Sequence, residues 1–454
     1  IPLGGGRYIG LFWSHGAAGG RPNTHIRVLA IALPILISNA TVPILVLVDN
    51  AVVGQLGDPV PIGAVGIGAI ILSAIYWVFG FLRMGTVGLT GQALGANDQA
   101  EADALLSRAL LIGLTGGVVL IVLQVFIFAG AFRLSPASVE VETLARDYMQ
   151  IRIWSAPAAI ALYGITGWLI AAERTRAVLV IQVWMNGLNI VLDFYFVLGL
   201  GWGVQGVAFA TFLAEWSGLA VGLWFCRGAF MRPFWRQWDR VLDRARVIRM
   251  AAVNRDILIR SLLLEAVFVS FLFLGADFGD VPLAANQILL QFLHVTAYAL
   301  DGFAFAAEAL VAQAMGAKSV ARLRRGAVLT SLWGAGVMVL FALGVWAFGP
   351  AVIDLMTTSD EVRVQAREFL PWMVAAPVVG VGAWMLDGIF IGATRTADMR
   401  NMMVLSALAY FVAAWVLVPV YGNHGLWMAL LVSFVARTLT LGARYPALER
   451  AARD

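Results

Sequence analysis

The sequence predicts an all-α integral membrane protein with twelve transmembrane helices in two six-helix lobes, related by pseudo-two-fold symmetry about the membrane normal. Composition, segment length and an internal repeat support this prediction. Hydrophobic residues make up 61% of the 454-residue chain and charged residues 13%, with a mean hydropathy of +0.85, whereas soluble domains carry about 25% charged residues. The apolar segments are continuous and do not alternate with period two, which favours helices over a β-barrel.

The internal repeat has one constant offset along the chain. Three segments return at this offset: 60–61 as 281–282, 92–96 as 313–317, and 167–175 as 388–396. Because separate segments share one offset, the two halves of the chain follow one plan. Such an arrangement is common in transporters with a central site between the repeats.

Twelve apolar segments reach the roughly 20 residues that a helix needs to cross a bilayer. Several are longer, so we expect tilted or protruding helices. The predicted helices cover approximately 26–55, 62–95, 102–130, 140–172, 177–199, 204–229, 247–275, 282–315, 321–348, 361–392, 399–420 and 424–443.

The distribution of charge predicts the orientation. Arginines collect after helices 4, 6, 8 and 10, most densely in the stretch 227–249, while the opposite connections carry acids such as Asp58, Asp277 and Asp360. The positive-inside rule then places both termini in the cytoplasm of a multi-pass inner-membrane protein. Because the two copies have the same orientation, they are parallel repeats.

Five regions follow from these features. The stretch between the lobes contains Trp235 and Trp238 among its arginines, and two interpretations stay open: it lies on the cytoplasmic membrane surface, or it is a solvated positive loop. The regions are a cytoplasmic N-terminal segment 1–25, an N-terminal lobe 26–229, a basic cytoplasmic linker 230–246, a C-terminal lobe 247–443 and a cytoplasmic tail 444–454.

Composition also argues against several function classes. The single cysteine, Cys226, excludes an intramolecular disulfide and a multi-cysteine metal site. The only lysine, Lys318, follows Ala317, so no Gly-Lys phosphate-binding loop of an ATP-driven pump exists. The basic residues mark topology and do not indicate nucleic-acid binding. We expect no cofactor and no enzymatic activity, because no nucleophile–histidine arrangement supports hydrolysis.

The first half carries polar side chains where they are costly. An intramembrane carboxylate costs at least ~2.5–3.5 kcal/mol, yet Asp49 and Asp193 each follow an apolar run. Asn189 shares a helix face with Asp193, and Thr211 lies in the next helix. These oxygens could hold a proton or a small hard cation. The alternatives are that Asp49 caps an outer loop and that Asn189 only joins helices.

The second half carries a different polar set. Predicted helix 8 presents one continuous stripe that must face protein or water, and two isolated acids lie on helices 7 and 10. Arg260 is a candidate partner for one of these acids, so a buried structural ion-pair network is the alternative to a binding cavity. The stripe is Gln287, Gln291, His294, Tyr298, Asp301 and Glu308, and the isolated acids are Glu265 and Asp387.

Prolines within the predicted spans permit kinks, because each removes a backbone hydrogen bond. Pro34 and Pro43 lie on helix 1, which also carries Asp49. A bendable helix with a titrating acid would serve as a gate, and a static packing kink is the alternative.

Several of these motifs together resemble the multidrug and toxic compound extrusion (MATE) family, in its DNA-damage-inducible, DinF-like branch. The resemblance covers essentially residues 26–443. It is carried by 48–50 with 54–57, 189–193, 283–288, 301–304, Glu308 and 386–395.

The resemblance implies an antiporter of two six-helix lobes that exports bulky, often cationic amphiphiles against inward proton or sodium flow. The resemblance implies that the proton or sodium ion binds at Asp49, Asn189, Asp193 and Thr211. It also implies that the helix-1 proline of the family is Pro34. Glu265 and Asp387 match acids of the sodium-coupled branch. Ala383 stands where that branch has an aromatic residue, which puts a second-lobe sodium site in doubt.

We therefore predict a monomeric secondary antiporter in the lipid bilayer, acting on small amphiphilic, cationic substrates by alternating access. The predicted second-lobe polar cavity comprises Glu265, Gln287, Gln291, Asp301, Glu308 and Asp387. The alternative is a flippase of lipids or lipid-linked precursors in the same superfamily, which would favour a cavity rich in cations.

The repeat does not duplicate the acids. A shift by the repeat offset takes Asp49 to Ser270 and Asp193 to Ala414. We therefore expect each lobe to have its own task.

Overall fold

The computed structural model of the chain describes residues 22–134 and 137–453. Residues 1–21 of the predicted N-terminal segment 1–25 lie outside the described residues. Twelve helices in the described ranges are long and apolar enough to cross a membrane, and these ranges contain no β-strand. Both findings confirm the predicted fold class. The helices are α1 His25–Gly54, α2 Pro59–Gly95, α3 Gln99–Val122, α4 Val139–Ala171, α5 Thr175–Gly199, α6 Gly203–Phe225, α7 Arg244–Ala276, α8 Asp280–Gly316, α9 Val320–Met356, α10 Asp360–Gly392, α11 Thr396–Tyr421 and α12 Asn423–Ala451.

Short polar side chains begin many of these helices. The Thr24 side chain accepts a hydrogen bond from the backbone N–H of Arg27 at the start of α1. Such a cap satisfies one of the four N–H groups that a helix start leaves free. Equivalent caps are Asp58, Asp98, Ser138, Asp243, Ser319 and Ser359.

Some predicted boundaries differ from the structure. The third span ends at Val122, and a separate short helix, Gln124–Leu134, follows it. The last helix continues to Ala451, so most of the predicted tail 444–454 is helical. The reason is that Leu448 is buried and Glu449 binds Arg324 of α9 at 2.7 Å, so this polar segment still has a packed face.

The linker is folded against the first lobe. It contains short helices at Arg227–Phe230, Pro233–Arg236 and Trp238–Val241. Arg232 binds the buried Asp103 of α3 at 2.6 Å, and this hydrogen bond raises the pKa of Arg232. Arg108 donates to the carbonyl oxygen of Val241 at 2.7 Å. The interpretation as a merely solvated loop is therefore wrong, whereas membrane-surface contact stays a prediction.

The repeat extends to the backbone of the turns. In the described part of the chain, four non-glycine residues have positive φ, and they form two pairs separated by the repeat offset: Asn97 with Lys318, and Glu173 with Thr394. L-residues adopt this conformation at a cost. One cluster of buried apolar residues lies entirely within 267–434, and another lies within 35–229 except for Ala309. The duplication is therefore visible in both turns and packing.

The two copies of one repeated segment meet each other. A Cβ atom on Gly95 would lie 2.1 Å from the carbonyl oxygen of Gln313, and one on Gly316 would lie 1.9 Å from that of Gln92. Only glycine permits this approach at either position. Such a reciprocal contact is what a two-fold relation between lobes requires.

Polar contacts join the lobes at the same end of the helices. Arg27 of α1 bonds both Glu173 and, at 2.8 Å, Gln313 of α8. Gln92 of α2 donates to the hydroxyl of Thr394 at 2.9 Å. We call this region, formed by the start of α1 and the ends of α2, α4, α8 and α10, the closed end.

Candidate ion-coupling site

The two predicted acids of the first lobe lie side by side. Asp49 comes from the last turns of α1 and Asp193 from α5, and their carboxyl groups are close enough to interact directly. Asp193 is 0% exposed. Within the described residues, Asp49 Oδ1 and both Asp193 oxygens have no hydrogen-bond donor. Asp49 is half-buried, and two adjacent carboxylates with buried oxygens are stabilised when they share a proton or bind a cation.

The local structure of α5 places Asp193 at a change of helix type. The regular α-helix ends at Asp193, and Phe194–Gly199 form a π-helical turn, a feature often found at functional sites. Asn189 lies one turn earlier, and both its amide atoms are buried without a partner among the described residues. Asn186 donates to Thr41 of α1 at 2.7 Å. The α1–α5 contact therefore brings Asp49 to Asp193.

Thr211, the fourth residue of the predicted ligand set, lies on α6, and its place in the set stays a prediction. Its side chain is half-buried on α6, and its hydroxyl donates to the carbonyl of Val207 in the same helix at 3.1 Å. The free oxygens of the acid pair and Asn189 nevertheless form a hard-donor set that suits a proton or a small cation. No group of three or more His, Cys, Asp or Glu residues that could hold a metal ion occurs in the described ranges.

Sequence analysis missed a buried ion pair beside this site. Arg152 of α4 binds Glu215 of α6 at 3.0 Å and the Tyr148 hydroxyl at 3.0 Å, and Ser155 donates to Glu215. Arg152 is close enough to Asp49 for an electrostatic interaction. A signal was present, because Glu215 is an isolated acid in an apolar span and requires a partner.

Helix α1 runs unbroken through Pro34. A proline has no N–H, so the carbonyl of Ala30 loses its usual partner four residues on. This carbonyl instead accepts a hydrogen bond from the hydroxyl of Thr175, at 3.3 Å. The proline therefore converts one bond within α1 into a bond between α1 and the start of α5, which is the other helix of the acid pair.

Of the six residues of the predicted second-lobe cavity, Glu308 is close enough to both Asp301 and Asp387 for electrostatic interactions, and a cavity formed by all six stays a prediction. Asp301 accepts a hydrogen bond from Asn39 of α1 at 3.4 Å, and Glu308, 2% exposed, binds Arg83 of α2 at 2.8 Å. Both contacts join the lobes. The residues of the stripe have different partners because α8 is 37 residues long and contacts different helices along its length. Three other residues of the predicted cavity are exposed: Glu265 on α7, and Gln287 and Gln291 on α8.

Asp387 of α10 lies in a buried ion-pair network that is close enough to Glu308 for an electrostatic interaction. It bonds Arg260 of α7, and Arg437 of α12 lies 3.7 Å from the same oxygen. Ala383, one turn earlier, is fully buried. Two arginines around one carboxylate leave no need for a bound cation, so Asp387 is held in a structural ion-pair network.

Comparison with known proteins supplies the wider context. The family model MatE matches residues 34–195 and 257–416. The chain is 40% identical over 420 residues to DNA damage-inducible protein F of Escherichia coli K12, covering 91% of this chain and 90% of that protein. It is 25% identical to a probable multidrug resistance protein NorM of Bradyrhizobium diazoefficiens, with 95% and 96% covered. The MATE transporter VcmN of Vibrio cholerae, solved as an aspartate-to-asparagine mutant, shares the fold with a TM-score of 0.83 at 20% identity, over 94% of this chain and 97% of that chain.

Proposed function

Because this chain belongs to the MatE family of multidrug efflux transporters, we propose that it is an antiporter that exports amphiphilic cations in exchange for inward protons. The observation that carries the proposal is the contact between Asp49 and Asp193, whose oxygens have no donor among the described residues. One proton between two carboxylates removes one negative charge without requiring a ligand cage. The pair can therefore load and unload a proton within a buried site.

The small number of side chains at the acid pair favours a proton over sodium as the coupling ion. Arg152 supplies a positive charge near Asp49 and is held there by Glu215. A proton and a sodium ion add the same charge near this guanidinium, but a proton can be held between two carboxyl groups alone, whereas a hard metal cation needs several oxygen ligands. Among the described residues, no third His, Cys, Asp or Glu side chain completes a metal-binding group with the acid pair.

The lobe contacts support alternating access. Arginine-rich connections lie at the closed end, so the positive-inside rule makes this end cytoplasmic. The conformation is then outward-facing, and proton loading from outside occurs while the cytoplasmic path is shut. Protonation changes the contact of α1 with α5, and the Ala30–Thr175 hydrogen bond near Pro34 transmits this change toward Arg27 at the closed end.

The flippase alternative is less well supported. A pyrophosphate-linked lipid requires unpaired cations in the cavity, yet Arg83 pairs with Glu308 and Arg260 with Asp387. The acids of the first lobe instead suit a cationic substrate. We accordingly place export of organic cations first.

The test is ethidium transport into or out of liposomes with a proton or a sodium gradient imposed separately. We expect a proton gradient alone to drive wild-type transport and Asp49→Asn to reduce it to the uncoupled background. Glu140→Gln, which changes an exposed acid at the start of α4, is the matched control and should transport normally. Full proton-driven transport by Asp49→Asn contradicts the assigned site, and transport driven only by sodium contradicts the coupling ion.

A further inference from the structure

We propose that a groove on the outer face of the first lobe, between α4 and α6, binds the ammonium group of an amphiphilic cation. This inference rests on the proposed function, because the groove would be a binding site for the exported substrate. The groove has a volume of about 500 Å³ and is lined by Asp147, Gln150, Ile151, Trp154, Gln205, Phe209 and Phe212. We call it the outer groove.

The two walls of the outer groove follow from helix periodicity. Asp147, Ile151 and Trp154 are spaced i, i+4, i+7 on α4, and Gln205, Phe209 and Phe212 have the same spacing on α6. Each set therefore forms a stripe along one face of its helix. Both stripes begin near the helix starts that lie opposite the closed end, and the positive-inside rule places these starts on the outer side of the membrane.

The outer groove is separate from the acid pair. Tyr148 and Arg152, on the adjacent face of α4, are buried and bind the inner ion-pair network. Asp147, one residue before Tyr148, is only half-buried and lines the outer groove. The two faces of α4 thus serve different environments, and a ligand in the groove would not touch Asp49 directly.

The chemistry of the outer groove suits an organic cation. Glu142, one turn and a half before Asp147, pairs with Arg146 at 2.9 Å, but Asp147 has no ion-pair partner in the described ranges. The rings of Phe209 and Phe212 are stacked with centroids 5.8 Å apart, and Trp154 is 54% exposed. A carboxylate beside aromatic faces attracts an ammonium group through charge and cation–π interactions, while the apolar rings accommodate the hydrophobic part of an amphiphile.

An aromatic chain connects the outer groove with the acid pair. Phe209 packs against Phe196 at 5.4 Å and against Trp202 at 6.0 Å between centroids. Phe196 lies in the π-helical turn that directly follows Asp193. Movement of this turn on proton loading would therefore shift Phe209, a wall of the groove. The packed rings therefore connect the groove with the turn that follows Asp193.

The test uses a photoreactive quaternary-ammonium amphiphile on the full chain in nanodiscs, with adducts located by peptide mass spectrometry. We expect adducts within 147–154 and 205–212, and at least a fivefold loss of labelling there in Asp147→Asn. Phe212→Leu should also reduce labelling, because it keeps an apolar side chain but removes the ring face. Glu140→Gln is the matched control on the same helix and should label as the wild type does.

Two sources of the ammonium group are distinguished by the lipid. If phosphatidylcholine nanodiscs lower labelling relative to phosphatidylglycerol nanodiscs, and Asp147→Asn removes this difference, lipid headgroups also occupy the groove, which supports the site. Labelling that is equal in wild type and Asp147→Asn overturns the inference. Asp49→Asn should retain groove labelling while losing transport, so the groove and the antiport proposal can fail independently.

Discussion

The closed end provides the most direct steric prediction, which is the substitution Gly316→Ala. The added Cβ would lie 1.9 Å from the backbone oxygen of Gln92, whereas ordinary contact begins at 3.4 Å, so the lobes would have to separate locally until the two atoms reach ordinary contact. The oxygen belongs to the backbone, so no flexible side chain can swing away. Overpacking of this kind typically costs about 1–3 kcal/mol, which corresponds to a fall of about 5- to 150-fold in the closed-to-open ratio at this end.

The assay is a distance measurement between spin labels on the two lobes. Asn97 and Lys318 are equivalent turn residues of the repeat and are exposed, so each can be replaced by cysteine after the buried Cys226 is changed to alanine. We expect Gly316→Ala to add a population with a longer distance and to slow transport. The reciprocal Gly95→Ala should act in the same direction, since its Cβ would lie 2.1 Å from the Gln313 oxygen.

The control is another helical glycine with free space around it. Gly344→Ala places its Cβ with no atom within 4 Å, so it should leave the distance distribution and transport unchanged. The reasoning is refuted if Gly316→Ala gives the wild-type distance distribution, or if Gly344→Ala opens the closed end as strongly.

Two further predictions concern buried ion pairs. Glu215→Gln leaves Arg152 charged and without its partner, so we expect a loss of about 3–5 kcal/mol in the free energy of unfolding, and a thermal midpoint in detergent equal to that of wild type would contradict this. Removal of either Arg83 or Glu308 should cost more stability than removal of both, because the double variant leaves no unpaired buried charge; a double-mutant cycle with strictly additive losses would show that the pair does not interact.

The features that depend on the membrane environment could be predicted from the sequence alone. Continuous apolar length predicts helices because the bilayer offers no partner for the backbone, and the expected cost of an intramembrane carboxylate singled out Asp49 and Asp193. The structure brings these two side chains together. The helix ends were less predictable, since the polar segment after 443 remains helical through contacts of Leu448 and Glu449 with distant parts of the chain.

Contacts between helices account for what sequence analysis missed. Arg152 follows the polar segment 140–147. From the sequence alone, it could equally be an exposed residue of a helix start at the membrane interface. Its burial depends on Glu215, 63 residues later. Likewise, periodicity correctly groups Asp301 and Glu308 on one face of α8, but it does not specify that their partners at successive depths are Asn39 and Arg83.

The repeat explains why the two lobes have different chemistry and still fit each other. Duplicated glycines lie where the copies touch, and a two-fold contact requires the same residue on both sides. Ion binding has no such requirement. The equivalent of Asp49 is Ser270, whose hydroxyl donates to Tyr410 at 3.1 Å, and the equivalent of Asp193 is the buried Ala414. The second lobe therefore has neutral side chains at both equivalent positions, so under the antiport proposal a bound proton would change the charge of the first lobe alone.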